Sequence, residues 1–461
     1  MLPHLGAFAA RVASRPHLAA YLTSPRRMPR YGRDARTGEG VYVYIPGAHA
    51  PPALLALDLD SASLDLGEPY HVEDGDGRLH AEGGGRLRLE GGRSLFYKRT
   101  LFLHSHDGEE EDQAFGAYRI VKRRTLVAQS HLTEVGFLRS RACTLLQDSG
   151  AHVARALAAD VRPGRGVSMV LEDFSPDAGW RQHWLLDAHA ARASLGALAR
   201  LHAFFWAGSD FWGRTDAADE LETSVWPCGG YAQPSMQPDS LPASVASEWR
   251  KHCAGALGSV LTAAVEDVAS FGERLQRAAP RAAAAAHPFD AHAGGDAAAH
   301  AHMRTLIHGD PKAANVLVRG DEAGWIDWQW VGFGLAATDV AHHLCSAVRA
   351  EALAGAGESQ LLDHYHTELC RRLEEAGVAA ERWLSRDALQ RQYEMAIVDM
   401  CRLVVANQFG RYEAKTRAMA KNAYNKVAAS AAWLVGRCDQ VLQGMEAPTI
   451  SDAAAASSSF V

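Results

Sequence analysis

Between Ile307 and Leu344 the chain reads IHGDPKAANVLV, then GWIDWQW, then TDVAHHL. Asp310 follows a short apolar run and stands five residues before Asn315, and Asp327 ends a second apolar, strand-like run twelve residues further on. Such a stretch folds only if its apolar runs are buried while the loops between them hold carboxylates in place. A carboxylate on the first loop can accept a hydroxyl proton. The side-chain oxygens of Asn315 and Asp327 are hard donors of the kind magnesium takes, with phosphates and water completing its shell. Phosphoryl transfer from a metal nucleotide calls for this set of groups. Lys312 is placed to touch a γ-phosphate, and His308 to brace the loop by hydrogen bonding. D-x4-N alone is common by chance, whereas H-G-D-x-K-x-x-N-V-L-V followed by a strand ending I-D-W is far more specific.

The 461 residues are enough for two domains or one bilobal unit. A hydrophobic content of 48% with 22% charged residues is that of an ordinary globular chain. The net charge of -7 argues against nonspecific nucleic-acid binding. No apolar run is long enough to span a bilayer. The seven cysteines, at 143, 228, 253, 345, 370, 401 and 438, form no CxxC pair. They read as free thiols in a reducing compartment. The first 33 residues hold six arginines and no acid. That composition fits an organelle transit peptide or a basic helix of the mature fold. A cytoplasmic location is the reading, with chloroplast or mitochondrion as the alternative if residues 1–33 are such a peptide.

Residues 35–110 are rich in glycine and turn residues, with short apolar pieces at Val41–Ile45 and Leu101–Leu103, and predict strands and loops. Leu132, Val135, Leu138, Ala142 and Leu145 recur at helical spacing. Val167–Leu171 is a further strand, and beyond Trp180 the pattern is helical: 190–205, 247–275, 359–376, 386–407 and 413–442. The organisation expected is an extension over 1–60, a small β-rich lobe over 61–172 and a large helical lobe over 173–446. The Ala/His/Gly-biased stretch 278–303 reads as a flexible insertion whose histidines are too irregularly spaced for a metal site, and 447–461 as a disordered tail.

IHGDPKAANVLV, WIDWQWVGFG, TDVAHHL, LEDF and ALARLHAFFW resemble the aminoglycoside-phosphotransferase and choline-kinase group, most closely its ecdysteroid-kinase-like branch. The resemblance spans roughly residues 115–440. It implies an α+β, protein-kinase-like bilobal fold that uses ATP and Mg2+. On that pattern Asp310 is the catalytic aspartate, Asn315 and Asp327 hold magnesium, and Asp339 ties the following helix to the loop. Glu172, Asp173 and Phe174 would form the hinge that receives adenine. Kinase-like sites also need a strand lysine on the phosphates, held by a helix glutamate. Lys122 with Glu134 fits that pair, and Lys98 is the rival lysine, without a strand-then-helix context after it. The phosphate-covering loop has no GxGxxG. Gly83–Gly85 and the turn Gly91, Gly92, Arg93, Ser94 are its candidates, with a plain β-turn as the other reading of the latter.

H-R-D and D-F-G are replaced by His308-Gly309-Asp310 and Asp327-Trp328-Gln329. Eleven residues between Asp327 and Asp339 are too few for an activation segment that docks a polypeptide. The acceptor is therefore expected to be a small-molecule hydroxyl, and amino-sugars, choline-like alcohols and steroids are the classes that the resemblance offers. Glu394, Asp399 and Trp433 could line its pocket or be ordinary helix and core residues. The competing classes are a catalytically silent nucleotide-binding module and a metallohydrolase using His308 with the 287–302 histidines. The second fails on ligand spacing.

Overall fold

The strand Ser94–Phe102 runs antiparallel between His80–Arg88 and Gly166–Glu172, and Ala156–Arg162 closes the far side. Two short strands, Ser63–Leu64 and Tyr70–His71, pair with His80–Arg88. In this computed structural model the described residues are 63–64, 70–71, 80–88, 94–102, 129–162, 166–237, 241–379, 382–409 and 427–446. The arginine-rich start, Val41–Ile45, Gly91, Gly92, Lys122 and the tail from 447 lie outside them.

Alternation along a strand decides what this sheet presents. Lys98 and Thr100 share one face, and both meet the helix at 129–138. Thr100 Oγ1 lies 3.3 Å from His131 Nδ1, and Lys98 reaches Glu134 one helical turn on. The periodic run from Leu132 is not one helix. Ser140 accepts a hydrogen bond from the Cys143 amide and so caps a second helix, Arg141–Asp148. Leu132, Val135, Leu138 and Ala142 are buried as the period predicts.

The remainder is mainly helical, so the fold is α+β, with a small sheet part and a larger helical part. Asp187 caps Ala188–Phe204, whose buried stripe packs on Gly357–Glu375. Three helices, Leu241–Cys253, Gly258–Ala264 and Val268–Ala286, occupy the stretch read as one. Arg386–Leu403 packs against Val268–Ala286 and Ala336–Ala347, and Ala428–Glu446 covers Gly258–Ala264. Short β pairs carry the loop of interest. Arg304–Ile307 pairs with Gly332–Leu335, and Val316–Arg319 with Glu322–Trp325, which also meets His152–Val153.

The stretch 278–303 is not a flexible insertion. Its alanines as far as Ala286 continue the helix Val268–Ala286, Ala279, Ala282, Ala283 and Ala286 being buried, and Ala297–His300 forms a short helix of its own. Alanine has the highest helix propensity, and its small side chain lets the helix lie close to Arg386–Leu403. His287 and Asp290 are also buried, the first bonded to Asp399 Oδ2 at 2.9 Å and the second accepting from the Ser235 amide. Five of the seven cysteines are buried and two are half-buried, all as free thiols.

Candidate active site

The loop 308–315 leaves the strand Arg304–Ile307 and is fastened from below by Asp339, in the first turn of Ala336–Ala347. Asp339 Oδ2 accepts from the His308 amide at 2.6 Å and Oδ1 from the Gly309 amide at 2.9 Å. His202 Nε2 stands 3.3 Å from the same carboxylate, and its other nitrogen is 2.7 Å from the Tyr365 hydroxyl. Burial opposes ionisation of Asp339. The hydrogen bond and charge of His202 and the Gly309 amide outweigh it and hold the carboxyl below the ordinary range. Gly309 has φ +84°, and a Cβ there would collide with the Trp330 carbonyl oxygen, so only glycine fits.

Three histidines hold the loop as neutral rings. Burial pushes His308 below its usual pKa. His308 Nε2 donates to the Ile326 carbonyl at 3.0 Å, and Nδ1 accepts from the Asp310 amide at 3.3 Å. His343 is pushed down to about 4, first by burial. Its Nδ1 donates to the Pro311 carbonyl at 2.7 Å, which leaves Nε2 to accept from the Ser194 hydroxyl. His342, also lowered to about 4 chiefly by burial, places Nε2 3.5 Å from Asp310 Oδ1. Asp310 itself is 3% exposed. Its Oδ2 accepts from Lys312 Nζ at 2.5 Å and from Asn315 Nδ2 at 3.2 Å, and Asn315 Nδ2 also bonds the Asp310 carbonyl.

Asp327 comes from the next turn and is joined to this loop through the backbone, since the Ile326 amide donates to the Asn315 carbonyl at 3.0 Å. Its φ of +67° makes it the one non-glycine residue with positive φ among those described. A β-strand residue would not adopt that conformation unaided. The turn is fixed by Trp328, buried against Phe137 and His308 at ring separations of 4.8 and 4.6 Å. Burying rings of this size contributes about 1.5–3 kcal/mol each. The outcome is a carboxylate aimed at the sheet. Lys98 Nζ lies 2.8 Å from Asp327 Oδ1 and 2.8 Å from Glu134 Oε2, and Gln329 donates to Asp327 Oδ1 at 2.6 Å.

Lys98, set aside on sequence for want of a following helix, is therefore the lysine that meets Glu134. Strand and helix are both present, but the long connection between them hides the relation. Gly91 and Gly92 lie outside the described residues. The strand ends flanking them, Arg88 and Ser94, pair with each other beside the register in which Leu95 faces Glu172. Ser94 Oγ there donates to Asp173 Oδ2 at 2.8 Å, four strand positions or roughly 13 Å from Lys98. Gly83–Gly85 lie within His80–Arg88, and Gly84 is the strand partner of Lys98.

Glu172, Asp173 and Phe174 continue the strand Gly166–Glu172 into the connection between the two parts. The Arg155 amide donates to Glu172 at 3.3 Å, and Phe174 packs on Trp180 at 4.8 Å. Of Glu394, Asp399 and Trp433, Asp399 lines a small cavity with His287, Gly309, Thr338, Asp339 and His342. Glu394 instead bonds Arg437 at 3.0 Å, and Trp433 packs on the core. His202, His342, His343 and Gln329 were missed. Nothing in the local spacing marks the three histidines, because their partners lie on other elements, whereas Gln329 bonds Asp327 two residues before it.

Asn315 and Asp327 offer two hard oxygen donors. With Nδ2 of Asn315 committed to Asp310, its amide oxygen is on the other arm. No group of three His, Cys, Asp or Glu side chains fit to hold a metal occurs among the described residues. A cation here would draw its remaining ligands from phosphate and water, as magnesium does.

A family model described as "Uncharacterized oxidoreductase dhs-27", DUF1679, matches residues 299–434. That is under a third of the chain, and it excludes Lys98 and Glu134. No curated protein matches the sequence. Among solved structures, a choline/ethanolamine kinase family protein from Mesorhizobium loti covers 98% of each chain at 15% identity and TM-score 0.34. An aminoglycoside-3'-phosphotransferase of type VIII covers 75% of this chain and 98% of its own, at 19% identity and TM-score 0.33. An amicoumacin kinase in complex with AMP-PNP and Ca2+ covers 86% and 94%, at 10% identity and TM-score 0.37. Likenesses of this strength say nothing by themselves about reaction or substrate.

Proposed function

We propose that the protein is a kinase of small molecules, transferring the γ-phosphate of ATP to a hydroxyl of a small metabolite or xenobiotic. The observation that carries the reading is the meeting of Lys98 with Glu134 and Asp327 beside the 308–315 loop. Glu134 and Asp327, 36 and 229 positions from Lys98 in sequence, converge on its ammonium. Such a lysine is a fixed point charge for the α- and β-phosphates, and Glu134, 1% exposed, holds it there. Glu172 to Phe174 supply the backbone beside which adenine would lie.

Asp310 is the acceptor for the substrate proton, taken late as the new O–P bond forms. Lys312, 2.5 Å from it, places positive charge where the transferred phosphoryl group develops negative charge. His308, His342 and His343, neutral and buried, keep the loop rigid without competing for that proton. Asn315 and Asp327 would hold magnesium, which supplies charge neutralisation on the phosphates when bound. No helix among the described residues is long and apolar enough to cross a membrane.

One observation favours a second reading, a nucleotide-binding module without transfer: Asp310 Oδ2 is already engaged by both Lys312 and Asn315. Magnesium-dependent ADP release, measured against a panel of alcohols, sugars, aminoglycosides and sterols with Asp310→Ala as control, separates the two. Release stimulated by one class and absent in the variant is the expected result. Nucleotide binding with silence across the panel would support the module.

A further inference from the structure

The helix Ala188–Phe204 carries Arg192, Gly196 and Arg200 at four-residue intervals, so the three share one face. Gly196 is mid-helix, and a Cβ added there would meet nothing within 4 Å. Packing does not require the glycine, although an interior glycine costs a helix roughly 1 kcal/mol relative to alanine. The space it leaves belongs to a cavity of about 430 Å3. Small-molecule sites occupy about 300–1,000 Å3. His364, Glu368 and Arg372 face it from Gly357–Glu375 at the same spacing, and Trp325 and Trp328 contribute to its wall.

Charge at this cavity is unevenly compensated. Arg192 is exposed and Arg200 half-buried, and among the described residues neither has a carboxylate within 4 Å. Among the described residues Arg200 donates only to the Ser149 carbonyl, at 2.6 Å. Burial first, and then the charge of Arg372, draw Arg200 below the usual guanidinium range. Arg372 bonds Glu375 at 2.9 Å, yet its Nε is buried without a hydrogen-bond acceptor, 3.9 Å from Glu368. The nearby carboxylates are occupied: Glu368 by Arg371 at 2.6 Å, Glu322 by Arg319 at 2.7 Å, and Asp321 with His189 at 3.6 Å.

We propose that this cavity is a second binding site, for a small metabolite bearing an oxyanion, phosphate or carboxylate, clamped by Arg192 and Arg200 across the gap at Gly196. Guanidinium groups suit such anions because their planar fork donates two parallel hydrogen bonds. The rest of the ligand lies over Ala193, Gly196 and Ala197, where no large side chain intrudes. The site stands on its own geometry, whatever reaction occurs at Asp310.

Isothermal titration and thermal unfolding of the full chain with inorganic phosphate, glycerol 3-phosphate and citrate, at constant ionic strength, test it. Saturable binding of at least one probe is expected, and the phosphate and citrate arms tell which anion is preferred. Arg200→Gln should weaken that binding about tenfold or more, the worth of a charge-assisted hydrogen bond. Gly196→Leu should abolish it by filling the gap while unfolding no earlier than the parent. Absence of saturable binding by all three probes, or equal binding by the parent and Arg200→Gln, would overturn the proposal.

Discussion

The 304–347 stretch and the Lys98–Glu134–Asp327 contact furnish the same candidate site by opposite means. The loop is built locally. Asp339 receives amides 30 and 31 residues away, and Asn315 reaches back five residues to Asp310. Its side chains are almost wholly buried, and neutral histidines satisfy its backbone. The lysine contact is assembled from three distant segments and stays partly open, with Lys98 15% and Asp327 27% exposed. Local construction gives rigidity, whereas convergence makes the site depend on the sheet part docking correctly. On the proposed function, precise placement is therefore a property of the loop, and nucleotide response a property of the contact.

The largest expected effect tests the loop. Asp310→Ala should lower single-turnover phosphate transfer by about 10² to 10⁴ while leaving nucleotide affinity near that of the parent. A loss below about tenfold would remove Asp310 from its role. Next comes the contact. Lys98→Ala should lower kcat/KM for the nucleotide by about 10² to 10³, the worth of one positioned donor. Lys122→Ala should stay within about twofold on the same scale. Were the two lysines to exchange these outcomes, the pairing with Glu134 would carry no catalytic meaning and the comparison would fail.

The same division explains what the sequence disclosed. Asp310, Asn315, Asp327 and Asp339 are close neighbours in sequence, and their spacing survives as geometry. Lys98 was readable only as a rival, because residues 103–128 separate its strand from the helix it serves. Apart from His308, expected to brace the loop, the histidines that clamp it were invisible, since Ser194, Tyr365 and Pro311 become partners of His202 and His343 only after folding. The alanine-rich stretch misled for another reason. Composition alone does not separate a linker from a close-packed helix of small residues, and burial of Ala282 and Ala283 was decided by Arg386–Leu403.

A smaller effect probes the loop's foundation. Asp339→Ala leaves the His308 and Gly309 amides buried without acceptors, at about 1–3 kcal/mol each. Urea denaturation at neutral pH should show a loss of about 2–5 kcal/mol. The carboxylate's contribution is present above its unfolded pKa of about 3.9 and is lost only as pH falls below that through the lowered folded value. A variant as stable as the parent would mean that the loop is held by other contacts.

The smallest effect concerns protons taken up by the clamps. His342 and His343 have folded pKa values of about 4, against about 6.5 when unfolded. Between those values the unfolded chain binds more protons than the folded one, so stability rises with pH across the window. The contribution is complete above about 6.5 and fades as pH falls toward 4, at up to about 1.4 kcal/mol per pH unit for each ring. His342→Asn should therefore flatten the dependence of unfolding free energy on pH between about 6.5 and 4 by about one proton. The slope below about pH 4, where Asp339 titrates, should be unchanged. An unaltered slope across the upper window would show that His342 is protonated in the folded loop, as an ion pair with Asp310 would require, and the loop's neutral-histidine construction would have to be given up.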